Sequence, residues 1–126
     1  PIGDRKPLGE VEVLALDGLS GTELPCPVLA LKVDVEGFEY QVFEGAERIL
    51  RRDHPAVVFE HSPWAYREQG LDPVQVPAFL TDRGYRLRWI DGGPQEPWLD
   101  RPDDLITRLG SRPFSQVLAV FGKIER

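Results

Sequence analysis

Two carboxylates, Asp34 and Glu36, stand two residues apart at the end of an apolar run, with Lys32 two residues before them. On an extended chain all three side chains point to one face. A second apolar run, residues 56–59, ends in Glu60-His61. If the two runs are neighbouring strands, Asp34, Glu36, Glu60 and His61 converge on one crevice. Such a set could take a proton from a hydroxyl, with a carboxylate or His61 as general base. The three carboxylates Asp34, Glu36 and Glu60 are also a candidate set for a divalent metal, with His61 beside them. Lys32 has two readings. In a strand buried on both faces it needs a partner, for which Asp34 is placed, or desolvation lowers its pKa and makes it a base. Trp64 and Tyr66 follow the second run and offer aromatic faces to an acceptor such as a sugar ring.

The elements that must position these groups follow from the hydrophobic pattern. Residues 28–35 form a near-continuous apolar run, as in a strand of a parallel sheet buried on both faces. After Glu36-Gly37 the period changes. Phe38, Val42, Phe43, Ala46, Ile49 and Leu50 share one face of a helix over residues 38–52, with Glu39 and Glu44 elsewhere. Gly37 permits a tight turn, and Gly45 in mid-helix implies a close approach of the helix to the sheet. Asp53-His54-Pro55 stops the helix, and residues 56–60 form the second buried strand. Residues 62–66 read as a loop. Asp72-Pro73 opens a further helix, residues 85–90 alternate as a half-exposed strand, residues 102–109 suit a short helix, and residues 116–124 form the last strand. A short strand is expected over residues 11–17. In open α/β sheets ligands bind beyond the carboxyl ends of strands, which is where Asp34, Glu36 and Glu60 fall.

The stretch Leu31-Lys32-Val33-Asp34-Val35-Glu36-Gly37-Phe38-Glu39, followed by Val42-Phe43-Glu44-Gly45-Ala46, resembles the FkbM-type S-adenosylmethionine-dependent methyltransferases. Their hallmark is K-I-D-V-E-G-x-E leading into a helix with x-L-x-G-A. Val57-Val58-Phe59-Glu60-His61 and the segment 13–17 match in type and order, so the resemblance spans about residues 11–121. It implies an α/β fold, specifically the carboxyl-terminal strands and helices of a Rossmann-like class I methyltransferase, with the final strand antiparallel between its neighbours. It also implies O-methylation of a hydroxyl on a sugar or secondary metabolite. In such a transfer, alignment supplies roughly 7–11 kcal/mol and a general base about 3–5 kcal/mol. Positioning therefore dominates.

The cofactor implied is S-adenosylmethionine, yet the chain has no G-x-G turn between a strand and a helix and no acidic second-strand end to hold its ribose. The expectation is therefore a lead-in with a short strand over residues 1–27, and over 28–126 the carboxyl-terminal half of a methyltransferase domain. The cofactor-binding half would lie upstream, and the piece would be inactive alone. Its first main strand would then have an unpaired apolar edge, so a homodimer through that edge is expected. Two rivals remain: a metal-dependent nucleotide-sugar transferase using Asp34-x-Glu36, and a non-catalytic α/β interaction domain.

The 126 residues, 41% hydrophobic and 29% charged, describe one ordinary globular domain. A net charge of −6 argues against nucleic acid as a main partner. Cys26 is the only cysteine, which excludes an intrachain disulfide and favours a reducing compartment; it reads as a small buried hydrophobe. No apolar run is long enough to span a membrane, and the expected location is the cytoplasm.

Overall fold

The computed structural model describes residues 7–19 and 22–122. The first six residues of the expected lead-in over 1–27, and the last residues of the final strand, 123–124, lie outside them. The main elements are β1 (Ala30–Val33), α1 (Glu39–Glu44), α2 (Glu47–Asp53), β2 (Ala56–His61), α3 (Pro63–Glu68), α4 (Gln75–Thr81), β3 (Tyr85–Trp89), α5 (Pro102–Leu109) and β4 (Ser115–Phe121). The strands form one sheet in the order β1-β2-β4-β3. β1 and β2 are parallel, with Leu31 opposite Val57 and Val33 opposite Phe59. β4 runs antiparallel to β2 on one side and to β3 on the other. The final strand therefore sits between its neighbours as the resemblance implies.

Strand alternation assigns the faces. Val33, Val57, Phe59, Tyr85, Leu87, Val117 and Ala119 point to one side and are buried. There they meet Phe43, Ala46 and Leu50 from α1–α2, Phe79 and Leu80 from α4, and Leu105 and Leu109 from α5 in a single core. Edge-on packing of Phe43 against Phe59, with ring centroids 5.5 Å apart, ties the first helix to the middle of β2.

The opposite face carries Ala30 and Lys32 of β1, both exposed, and the half-buried Val58, Glu60, Gln116 and Leu118. β1 is thus not buried on both faces. Only Val33 of its four residues is buried, because β1 is an edge strand and no described helix covers its second face.

Four other expectations are corrected. Residues 11–17 form no strand: Val11 and Val13 are each 86% exposed, and the segment ends in a 3-10 turn, Leu16–Gly18. The single helix expected over residues 38–52 is broken at Gly45-Ala46. The cause is Asp17, whose N–H donates to the Gly45 carbonyl (2.8 Å) while its carboxylate accepts from the Arg48 and Ile49 amides (2.7 and 3.0 Å). A side chain borrowed from a distant segment thus supplies the cap for α2. Gly45 does mark a close approach, but to the 3-10 segment and not the sheet: a Cβ there would lie 3.3 Å from the Cβ of Ala15. Cys26, between two prolines, is exposed.

Candidate active site

The site lies at the carboxyl ends of β1 and β2. Regular strand geometry ends at Val33, and the chain then turns through Glu36 (φ 50°) and Gly37 (φ 107°). Positive φ at a non-glycine residue is uncommon and marks a backbone that its surroundings hold in place. Glu36 therefore does not continue an extended strand, and the shared face with Asp34 and Lys32 does not reach it.

The holding group is Glu39, which periodicity places away from the apolar face of its helix. It is 1% exposed. Its carboxylate reaches back over the turn and accepts from the amides of Val35 (3.2 Å) and Gly37 (3.0 Å). Burial pushes this carboxyl above its ordinary range, and the charge of Asp34 adds to the push, while the backbone N–H groups pull it down. Sequence reasoning missed Glu39 as a site residue. The signal was its place in the D-V-E-G-x-E spacing, two residues past the glycine.

Glu60 stands at the end of β2, where Gln116 of β4 donates from Nε2 to its Oε2 at 3.2 Å. Partial burial raises its pKa, and the carboxylates of Asp34, Glu39 and Glu36 raise it further, in that order. Asp34, Glu36, Glu39 and Glu60 thus share one electrostatic neighbourhood. Such an arrangement makes a carboxylate hold a proton more readily than it would in water.

His61 is not part of that neighbourhood. Alternation turns it to the opposite face from Glu60, and it lies buried edge-on to Tyr66, with centroids 5.1 Å apart. Burial depresses its pKa to about 4, and the Arg67 charge acts in the same direction. The convergence of four groups therefore fails at His61. Lys32 fails its expected setting too: it is exposed on the open face, opposite Val58, and makes no ion pair with Asp34 among the described residues. Neither the buried pair nor the desolvated base describes it.

Trp64 and Tyr66 belong to α3 and not to a loop. Trp64 is 69% exposed and free to meet a ligand. Tyr66 is fully buried, and its hydroxyl donates to the Glu60 carbonyl at 2.8 Å. It supports the end of β2 from behind and lines no acceptor pocket. As for the metal set, no three His, Cys, Asp or Glu side chains among the described residues come together so as to hold an ion.

A mixed α/β sheet with an inserted antiparallel final strand is compatible with a partial methyltransferase fold. Residues 9–87 match the family model of the methyltransferase FkbM domain, and the chain belongs to that family. No curated protein and no solved structure matches it. Members are methyltransferases, and the family implies S-adenosylmethionine as methyl donor in general. The turn after β1 offers that cofactor no cradle. The glycine turn from β1 into α1 is closed, since a Cβ on Gly37 would meet Ala65 Cβ at 3.0 Å and its carbonyl oxygen at 3.1 Å. Gly37 thus faces protein, and not a hollow that a ligand could enter. Among the described residues, no helix is long and apolar enough to cross a membrane.

Proposed function

We propose that the protein takes part in S-adenosylmethionine-dependent O-methylation of a hydroxyl on a sugar or secondary metabolite, and that this chain handles the acceptor. The observation that carries the reading is Glu60. Its carboxylate is fixed by Gln116 at a strand end, half-buried, and raised in proton affinity by three neighbouring carboxylates. A base works best when its pKa approaches the working pH. Glu60 is thus the group to accept the hydroxyl proton, with Asp34 and Glu36 orienting the acceptor through further hydrogen bonds. Glu39 acts one step behind, as a positioning residue that fixes the turn on which Asp34 and Glu36 are carried. Trp64, exposed just past the same strand end, borders the hollow beside His61 on the other face, so no role in the acceptor site is assigned to it.

The test is methyl transfer from labelled S-adenosylmethionine to a panel of hydroxyl acceptors by the enzyme that carries this domain. Glu60→Gln should slow turnover about 100-fold, and Asp34→Asn at least about tenfold, in line with loss of a general base and of an orienting contact. Turnover equal to wild type in Glu60→Gln removes it from the mechanism. Binding of S-adenosylhomocysteine should be unchanged in both. The exposed edge of β1, with Leu29 81% exposed beside it, supports self-association through that strand. A monomer at all concentrations in sedimentation equilibrium rules that out.

A further inference from the structure

Behind the end of β2, on the face away from the acidic cluster, lies a hollow of about 320 Å³ between α3, α5 and the loop after α5. Three observations about it are independent of the methyl-transfer reading. First, His61 is 1% exposed and lines the hollow, and neither Nδ1 nor Nε2 has a hydrogen-bond partner among the described residues. Buried polar atoms are nearly always paired, and leaving one unpaired is costly. Second, the charged side chains that line the hollow are both cationic, Arg67 and Arg112, in a chain whose net charge is −6. The Arg67 guanidinium makes no hydrogen bond or ion pair among the described residues. Arg112 gives one N–H to the Leu109 carbonyl and lies over the Trp89 ring, which leaves further donors on its planar fork. Third, Pro63, Ile106 and Leu109 supply apolar walls.

We infer that this hollow is a binding site for a small organic carboxylate with an apolar body, seated on His61 and held by Arg67 and Arg112. Arginine forks match planar carboxylates bidentately, and the apolar walls suit a ring or short hydrocarbon. At neutral pH the imidazole is uncharged, because burial disfavours its cation, so a carboxylate can accept from its single N–H. A hollow of this size is at the small end of those that take small molecules, which favours a compact ligand over an extended one. A resident water could satisfy one ring nitrogen, but it would explain neither the two arginines nor the apolar walls.

The experiment follows the His61 ring nitrogens by proton–nitrogen NMR during titration with benzoate, acetate and benzyl alcohol. Benzoate should move both ring resonances saturably in the millimolar range, with acetate (charge without body) and benzyl alcohol (body without charge) at least tenfold weaker. Arg67→Gln, at an exposed position that does not threaten folding, should weaken benzoate at least tenfold, and Arg67→Lys should restore part of the affinity. Ring resonances unmoved by benzoate overturn the proposal. So does equal binding of benzyl alcohol, or benzoate affinity indifferent to Arg67→Gln. Methyl transfer is not measured, so failure here leaves the acidic site untouched, and failure there leaves this hollow untouched.

Discussion

Glu39 and His61 are both ionisable, both 1% exposed, and stand near the ends of neighbouring strands. Their surroundings differ in one respect. The Glu39 carboxylate closes the β1–α1 turn by accepting from two backbone amides, whereas His61 has aromatic neighbours and, among the described residues, no hydrogen-bond partner at either nitrogen. A buried polar group with all its bonds made inside the chain is an element of architecture. One with its bonds unmade leaves room for something else to make them. Burial alone therefore separates neither role, and the hydrogen bonds do.

The largest expected effect comes from the satisfied member. Glu39→Ala leaves two amides of the turn without an acceptor, one buried and one part-buried, and should destabilise the domain by about 3 kcal/mol, measured by urea unfolding. Glu39→Gln keeps one acceptor oxygen and should fall between. A loss below about 1 kcal/mol in Glu39→Ala would mean that the turn holds its positive-φ residues without the carboxylate, and the contrast with His61 would collapse.

Acid should separate the two residues by sign. The folded-state pKa of His61 is about 4 against an ordinary 6.5, so between those values the unfolded chain binds the proton that the folded chain refuses. Stability then falls as pH drops through that window, by about 1.4 kcal/mol per pH unit and about 3 kcal/mol in all. Glu39 runs the other way. Its folded pKa is raised, so its contribution is fully present below the ordinary carboxyl value and is lost as pH rises through the folded one. Melting curves of wild type and His61→Phe from pH 7 to pH 4 isolate the histidine. The acid slope should flatten in the variant, and an unchanged slope would show that His61 is not the proton-refusing group.

How much of this contrast could be read in advance depends on the range over which each cause acts. The strands β2, β3 and β4 and the helix α5 follow from local period and from proline and glycine punctuation, and they fall where the pattern puts them. The opposite facing of Glu60 and His61 was legible too, because consecutive strand residues cannot share a face; grouping them in one crevice set that rule aside. The helix break at Gly45 was not legible, since Asp17 makes it from far away in the chain. Nor was the exposure of Lys32, which depends on β1 lying at the sheet edge. Glu39 shows the limit of periodicity most clearly, because counting polar residues as outward-facing hides a carboxylate that folds back onto its own turn. Of the candidate site, the two acidic strand ends were readable and the group that holds their turn was not.

Gly37 sharpens the architectural half of the comparison. Its φ of 107° disfavours any side chain, and an added Cβ would press on backbone as well as side-chain atoms of Ala65. Gly37→Ala should therefore destabilise by about 2–3 kcal/mol. Because the amide of Gly37 is one of the two that Glu39 accepts, this loss and that of Glu39→Ala should be less than additive. A double variant whose loss equals the sum would show that the turn and the carboxylate act separately.

The smallest expected effect tests the wall between the two regions. Tyr66 touches both: its ring meets His61, and its hydroxyl donates to the Glu60 carbonyl at 2.8 Å. Burial pushes its phenol above the ordinary range, so it stays protonated throughout the working pH range and donates constantly. Tyr66→Phe keeps the ring and removes only that donor, which should lower stability by about 1 kcal/mol. The His61 ring resonances should stay nearly where they are, because the aromatic contact is unchanged. Methyl transfer should slow by less than about tenfold, since the Glu60 carboxylate keeps its bond to Gln116 and only the backbone behind it loosens. A rate loss as large as that of Glu60→Gln would instead mean that the acidic site is positioned from the His61 side of the sheet, and the two regions would have to be treated as one.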